Sequence, residues 1–158
     1  MKLRLDAIDW KILKELQENG RITNVELASR IGISAPPCLR RVRSLEKDGV
    51  IRGYRTLVDE KALGYDVTAF AMVGLASQAE ADLIAFEEKA RSWDVVRECW
   101  MLSGEVDFIL RCVATDLQSF QNFVIQDLAA TPNVDSVRTA LTIRKSKDST
   151  GVPITAGE

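Results

Sequence analysis

The residues most capable of chemistry in this sequence are basic, and they are concentrated between residues 34 and 48. The segment contains Arg40, Arg41, Arg43 and Lys47. Arginine and lysine bind phosphate oxygens, and arginine also pairs with the edge of guanine. Such a segment is therefore a candidate for contact with nucleic acid. A basic helix face that is only solvated would have the same composition.

This basic segment has the features of a helix. Ser34 is of a type that caps helix N-termini, and Pro36 and Pro37 fall in the first turn, where a backbone N–H has no partner to lose. Gly49 is expected to end the helix. The packed face would consist of Leu39, Val42 and Leu45, and the outward face of Arg40, Ser44 and Lys47. Cys38 lies on the packed side, so we expect it in the core.

Charge divides the chain into a basic part and an acidic part. Residues 1–58 contain 12 Lys and Arg against 7 Asp and Glu, a net charge of +5 (12 − 7). The remaining residues contain 9 against 16, a net charge of −7, so the whole chain carries −2. The basic part is thus the expected binder of a polyanion.

Several functional classes are disfavoured by what the sequence lacks. It has no histidine, the commonest general base and metal ligand, and no glycine-rich phosphate loop. Its three cysteines are odd in number and widely spaced, so neither a disulfide framework nor a zinc site is expected. No signal peptide or apolar run of roughly 20 residues occurs. We expect a cytoplasmic protein with no cofactor, no metal, no membrane partner and no enzymatic activity.

Two shorter helices are expected before the basic one. An apolar stripe and Asp6 predict a helix over residues 6–18, and Thr23 with Glu26 has the capping-box pattern that starts a second helix. Gly32 then turns the chain into the basic segment, as in a helix-turn-helix. After it, residues 50–58 are rich in β-type residues and predict a short strand.

Asp9 is anomalous because it falls inside the apolar stripe of the first helix. An unpaired carboxylate there would be costly to bury, so we expect an ion pair with an arginine such as Arg41. The alternative, that Asp9 lies at a wet edge of the stripe, remains open.

The second half of the sequence predicts a ferredoxin-like βαββαβ domain. The strands are expected at residues 67–76, 95–102, 106–114 and 134–143, and the helices at residues 77–91 and 115–128, each started by a capping box. Two helices cover one face of such a sheet, yet both faces of the strands carry apolar side chains. We expect a second copy to cover the open face in a two-fold dimer, although loops and the C-terminal tail could also cover it.

Five motifs along the chain resemble the Lrp/AsnC family of transcription regulators. They are Asp9-x-x-Ile12-Leu13, Asn19-Gly20-Arg21, Glu26-Leu27-Ala28, Pro37-Cys38-Leu39-x-Arg41-Val42-x-x-Leu45-Glu46 and Gly49-Val50-Ile51-x-Gly53-Tyr54. The resemblance implies a helix-turn-helix over Val25–Arg43 with Ser34–Lys47 as recognition helix. At its start, Ser34, Pro36, Pro37, Arg40, Arg41 and Ser44 are expected at base edges and adjacent phosphates. Arg43, Lys47, Arg52 and Arg55 are expected on the DNA backbone.

The second half is similar to the effector-sensing domain of the same family. The family's sensor motif matches Ser103-Gly104-Glu105-Val106-Asp107-Phe108, with Glu105 where aspartate is usual and Phe108 where tyrosine is common. An amino-acid effector needs donors for its carboxylate and a carboxylate for its ammonium group, which backbone N–H groups near Gly104 and the side chains of Glu105 or Asp107 could supply. The implied effector residues are Ser103, Gly104, Glu105 and Asp107. A simple hairpin glycine at position 104 is the alternative.

Together these observations predict an α+β protein with a winged helix-turn-helix over residues 1–58, a hinge at 59–66, a ferredoxin-like domain at 67–144 and a flexible tail at 145–158. We expect a sequence-specific regulator of amino-acid metabolism that binds double-stranded DNA. The resemblance implies an amino-acid effector and homodimers that assemble further, for example into octamers. Two alternatives are a chromosome-organising protein of low specificity and a ferredoxin-like enzyme with an accessory DNA-binding part.

Overall fold

The computed structural model describes residues 4–149 and 151–155, and the chain in it divides into two compact units. Residues up to Leu57, together with those from Lys147 onward, form the first, which we call the head unit. Val58–Ser146 form the second, which we call the sheet unit. No helix in these described ranges is both long and apolar enough to cross a bilayer.

The head unit contains three helices, α1 (Ala7–Glu18), α2 (Asn24–Ile31) and α3 (Ala35–Lys47). The side chain of Asp6 accepts hydrogen bonds from two backbone N–H groups of α1, and the side chain of Asp9 accepts one from the Asp6 N–H, so the two residues form a capping box. The hydroxyl of Thr23 caps α2 by accepting from the Glu26 N–H at 3.2 Å, whereas the Glu26 carboxylate pairs with Arg30, so only the Thr23 half of the predicted capping box forms in the described chain. These local bonds explain why the predicted starts of both helices are confirmed.

The basic segment forms α3 as predicted, but two details differ. Ser34 occupies the N-cap position without a side-chain hydrogen bond to the helix, so its expected capping bond was wrong; Pro36 and Pro37 fix the first turn instead. Leu39, expected on the packed face, is 37% exposed. Cys38 is fully buried, which confirms its placement in the core. The core of this unit consists of Ile12, Leu27, Ala28, Ile31, Cys38, Val42 and Leu45.

The strand predicted at residues 50–58 is absent, because this described segment has no partner strand to complete its backbone hydrogen bonds. The N–H groups of Val50 and Ile51 bond instead to the carbonyl of Leu45, near the C-terminus of α3. Further on, the Tyr54 hydroxyl donates to the Glu46 carboxylate at 3.0 Å. Burial and that carboxylate raise the pKa of Tyr54 to about 12. The segment is thus held along α3 without being a strand.

The sheet unit has the predicted βαββαβ order. Its elements are β1 (Val67–Leu75), α4 (Glu80–Arg91), β2 (Val96–Met101), β3 (Phe108–Ala114), α5 (Leu117–Asn122, continued as a wider π-helical turn over Phe123–Leu128) and β4 (Val134–Leu141). All neighbouring strands are antiparallel, in the order β2-β3-β1-β4. This is the ferredoxin-like arrangement that the sequence predicts.

Both predicted capping boxes of the sheet unit were wrong in detail. Helix α4 begins after Ala79 without a side-chain cap, while the Ser77 hydroxyl donates to Asp82 at 2.5 Å. Helix α5 is capped by Asp116, whose carboxylate accepts from the Ser119 N–H at 2.7 Å. A carboxylate one residue away competes well with a hydroxyl for this position, since both are good N-cap residues.

One face of the sheet carries the core and the other is open. The core face consists of alternate residues of the central strands, Ala69, Ala71, Val73, Phe108, Leu110 and Cys112, all fully buried against α4 and α5. Across the pleat, Phe70, Met72 and Ile109 of the other face are only partly buried, and Trp100 is 46% exposed. Among the described residues, this apolar sheet face is therefore only partly covered.

Two segments link the units along the chain. Residues 58–66 contain a short 3-10 helix, Lys61–Leu63, and belong to the sheet unit, where Glu60 forms an ion pair with Arg111 of β3. After β4, residues 142–149 and 151–155 form no helix or strand. Even so, the Gln17 side chain of the head unit exchanges two hydrogen bonds with the backbone of Val152, at 2.6 and 3.3 Å. Flexibility of the tail remains a prediction.

Candidate nucleic-acid interface and effector loop

The outward face of α3 presents free cations to solvent. Arg40, Arg43 and Lys47 are exposed, and no carboxylate of the described chain lies within 4 Å of their charged groups. Ser44 is also exposed, and its hydroxyl donates to Asp48 at 3.1 Å, which leaves its oxygen lone pairs available. At the start of α3, Ser34 and Pro36 are exposed and Pro37 is half-buried. In the segment after α3, Arg52 and Arg55 are exposed.

Arg41 differs from its neighbours because its charge is already paired. Its Nη1 donates to the carboxylates of Asp6 and Asp9, each at 2.8 Å, which confirms the ion pair predicted for Asp9. The Asp9 side chain is only 15% exposed, so the alternative, that Asp9 lies at a solvent-exposed edge of the apolar stripe, is wrong. These hydrogen bonds raise the pKa of Arg41. Arg41 therefore joins the N-terminus of α1 to α3.

Asp6 contributes to stability only when it is ionised. The hydrogen bond from the Asp9 backbone N–H, together with Arg41, lowers the pKa of its carboxyl below the ordinary value. A carboxyl whose pKa is lowered in the folded state stabilises the fold above its ordinary pKa and loses that contribution as the pH falls through the lower value. The contribution of Asp6 to the joint between α1 and α3 is thus present at neutral pH and is lost as the pH falls through its lowered pKa.

A second joint connects α2 to the start of α3. The Asn24 side-chain amide donates from Nδ2 to the backbone carbonyl of Ala35 at 2.8 Å. Its other polar atom, Oδ1, is buried and has no hydrogen-bond partner in the described chain. The sequence places Asn24 at the start of α2 but does not predict this hydrogen bond. The two residues are eleven positions apart, and no local sequence pattern connects them.

The effector motif forms the loop between β2 and β3. Ser103, Gly104 and Glu105 are exposed, so these three residues do not enclose a ligand within one chain. Asp107 is half-buried, and its Oδ2 accepts from the Leu75 N–H at 2.6 Å where the pairing of β1 shifts register. The structure therefore brings the four motif residues to one sheet corner, with Asp107 also holding the end of β1.

The sequence analysis missed an electrostatic cluster on the sheet. Arg111 lies on the open face of β3, where it pairs with Glu60 at 2.5 Å and with Glu98 of β2 at 3.7 Å. Thr68 of β1 also donates its hydroxyl to Glu60, at 3.1 Å. Only the alternation of strand residues could have placed Arg111 and Thr68 on one face, and nothing in the sequence indicates that Glu60 reaches them.

A helix-turn-helix with a basic outward face, joined to a separate ferredoxin-like unit with an exposed sensor-type loop, defines a two-part DNA-binding regulator. Comparison with known families agrees with both parts. Residues 5–52 match a winged helix-turn-helix DNA-binding family, and residues 68–152 match the Lrp/AsnC ligand binding domain.

Individual relatives match over nearly the whole chain. A leucine-responsive regulatory protein from Rhizobium meliloti (strain 1021) is 64% identical over 154 residues, covering 98% of this chain and 99% of the relative. The transcriptional regulator AzlB of Bacillus subtilis (strain 168) is 37% identical over 154 residues, covering 98% of each chain. The crystal structure of a Neisseria meningitidis transcriptional regulator in complex with L-Met has a TM-score of 0.90 at 36% identity, covering 95% of this chain and 97% of that one.

The chain thus belongs to the Lrp/AsnC family of transcriptional regulators. It combines the family's DNA-binding helix-turn-helix with its ligand-binding domain. The resemblance and the fold predicted from the sequence are both confirmed.

The joint between α1 and α3 gives a testable prediction. Replacing Asp9 by Ala removes its bond to Arg41 and its half of the capping box, so we expect the free energy of unfolding to fall by about 1–2 kcal/mol. Urea denaturation of both proteins at neutral pH measures the difference. Lys11→Ala, an exposed change on the same helix, should leave it nearly unchanged. Equal unfolding free energies for Asp9→Ala and the wild type would contradict the assigned role.

Proposed function

We propose that this chain regulates transcription by reading DNA with the outward face of α3 and that an amino acid modulates the binding. The first part rests on the exposed cations of that face, Arg40, Arg43 and Lys47, which have no ion-pair partner in the described chain. The opposite face of α3 is packed in the core and fixes the helix. Helices of this kind place their N-terminal residues on base edges and their remaining cations on phosphates.

The proposed DNA-contacting residues fall into two groups. Base edges and adjacent phosphates are assigned to Ser34, Pro36, Pro37, Arg40 and Ser44, and the DNA backbone to Arg43, Lys47, Arg52 and Arg55. Arg41 remains among the proposed DNA-contacting residues, but with a smaller part in binding, because its guanidinium already forms ion pairs with Asp6 and Asp9. It positions the helix, and a phosphate contact by its remaining N–H groups is secondary.

For the effector, we propose a free amino acid bound at the corner formed by Ser103, Gly104, Glu105 and Asp107. The bound L-Met of the Neisseria relative and the leucine-responsive Rhizobium relative support this class of ligand. The exposed backbone N–H groups of the loop suit a carboxylate, and the Glu105 side chain suits an ammonium group. Because the loop alone encloses nothing, the site requires a second chain.

The open sheet face supports a homodimer, which then assembles into higher oligomers such as an octamer. Its partly exposed apolar residues, Phe70, Met72, Trp100 and Ile109, would be costly to leave in water. A two-fold dimer buries them and supplies two head units for two DNA half-sites. Effector binding that favours one assembly over another would change DNA affinity in proportion to that preference.

Sequence-specific regulation is favoured over the two alternatives. A chromosome-organising role of low specificity would need only phosphate contacts, whereas α3 also presents Arg40 and Ser44 on its outward face. The relatives are named as regulators, which supports a non-enzymatic role. Because the proposed target is chromosomal DNA, we place the protein in the cytoplasm, without cofactor or metal.

The division of labour on α3 predicts two different mutational effects. Arg40→Ala should weaken binding to a selected operator by about 1–3 kcal/mol and barely affect random DNA, because it removes a base contact. Lys47→Ala should weaken both DNAs by similar factors, because phosphates occur in every sequence. Fluorescence anisotropy at fixed salt measures all four affinities. Equal losses on both DNAs for both variants would refute the division.

Effector binding predicts stabilisation by one or a few amino acids. At a hundredfold excess over its dissociation constant, a ligand adds about 2.7 kcal/mol, which corresponds to roughly 5–10 °C in Tm for a chain of this size. A thermal-shift screen of the twenty amino acids measures this. Gly104→Gln should abolish the shift by filling the corner, whereas Gln126→Ala, exposed on the helix layer, should keep it. The absence of any shift in the wild type would remove the sensing proposal and leave the DNA-binding proposal intact.

The dimer is tested on the open face. Ile109→Glu places a carboxylate among its apolar residues, so we expect light scattering to show monomers at micromolar concentration where the wild type is at least dimeric. Ile84→Glu changes a residue of α4 that is 48% exposed on the other side of the sheet unit, and it should retain the dimer. A monomeric wild type would contradict the proposal directly.

A further inference from the structure

The hydrogen bond between Asn24 and Ala35 has a position that suggests more than stability. Ala35 is the first residue of α3, between Ser34 and Pro36, both of which are exposed at the end of the helix assigned to base edges. The Asn24 amide donates to its carbonyl from α2, at 2.8 Å. This bond therefore ties the preceding helix to the very turn whose placement governs base contacts.

The start of α3 has few other restraints of this kind. Ser34 makes no side-chain bond to the helix, and Pro36 and Pro37 have no N–H to donate. Arg41 anchors the helix to α1, but it lies almost two turns further along. Packing of Ala35 and Cys38 against the head core holds this end of the helix in place, and the contact from Asn24 adds a directional hydrogen bond at its first residue.

The chemistry of the Asn24 side chain argues against a role that is limited to stabilising the fold. Its Oδ1 is buried without a partner, and an unpaired buried acceptor is unfavourable. An apolar side chain of the same shape would avoid that cost, and the Ala35 carbonyl would keep its ordinary acceptor role in α3. The asparagine amide is thus useful chiefly for the direction that it imposes on the recognition helix.

We propose that Asn24 is a positioning residue for sequence-specific DNA recognition: its amide sets the first turn of α3 against the base edges without itself contacting DNA. This inference rests on the proposed DNA-reading role of α3. Losing the tether should therefore lower the preference for a specific sequence more than it lowers the stability or the general affinity for DNA.

Two substitutions separate these effects. Asn24→Leu removes the donor and the unpaired oxygen together, with little change in shape. Asn24→Ala removes the same two polar atoms and suits the helix, since alanine has the highest helix propensity. Gln17→Met is the matched control, because it also removes a side-chain amide that donates to a backbone carbonyl in the head unit, at Val152, which is not part of α3.

The experiment uses the full chain and two duplexes, one selected by the wild type from a random-sequence library and a scrambled duplex of equal length and composition. We expect both Asn24 variants to lose about tenfold in the ratio of the two affinities, as for a lost base contact. Their melting temperatures should stay within a few degrees of the wild type, and Gln17→Met should keep the ratio. The ratio is the quantity compared, because a change in the general affinity for DNA affects both duplexes and cancels.

The outcomes are distinguishable. An unchanged ratio in both variants would overturn the positioning role while leaving the DNA-reading proposal in place. Parallel losses of stability and of both affinities in Asn24→Leu and Asn24→Ala would also overturn it and assign Asn24 to folding alone. If the wild type enriches no sequence from the library, the proposed specific reading fails, and this inference fails with it.

Discussion

The head unit depends on one shared cation. Arg41 bonds to Asp6 and Asp9, the two residues that also form the capping box of α1, so the start of the first helix and the middle of the third are held at one point. A half-buried carboxylate such as Asp9 is tolerable only with such a partner, since an isolated buried charge is strongly unfavourable. The same pairing removes one arginine from the basic surface. The outward face of α3 is thereby divided between cations that hold the protein together and cations that remain available to DNA.

In the sheet unit the governing constraint is geometric, because two helices can cover only one face of four strands. The covered face contains small and fully buried residues on β1, Ala69, Ala71 and Val73, opposite the larger Phe108 and Leu110 on β3. Such alternation lets the helices approach closely. The open face combines apolar residues with the ionic cluster around Arg111.

The sequence was most informative where the responsible bonds are local or periodic. Asp6 and Thr23 predict the starts of α1 and α2, and the βαββαβ order follows from strand alternation and helical stripes. The long-range Asp9–Arg41 pair was one of two predictions, because a carboxylate in an apolar stripe either pairs with a cation or lies at a solvent-exposed edge of the stripe. The strand at residues 50–58 was wrong because β-propensity says nothing about whether a partner strand exists. The sequence did not predict the contacts of Asn24, Asp107 and Glu60, because each contact joins two segments that no sequence pattern connects. Which side chains touch DNA or effector remains a prediction.

The bond between Gln17 and Val152 shows that the head unit is discontinuous in sequence, with the whole sheet unit inserted between its two parts. The order of synthesis then acquires a meaning. During translation the three head helices emerge first, but the segment that completes their unit emerges last, after the last strand of the sheet. Domains commonly fold as they leave the ribosome, N-terminal ones first. The three helices already contain the whole buried core of the head unit, from Ile12 to Leu45, so they can pack before the C-terminal segment exists. The contact between Gln17 and Val152 is therefore added to a preformed unit at the end of synthesis.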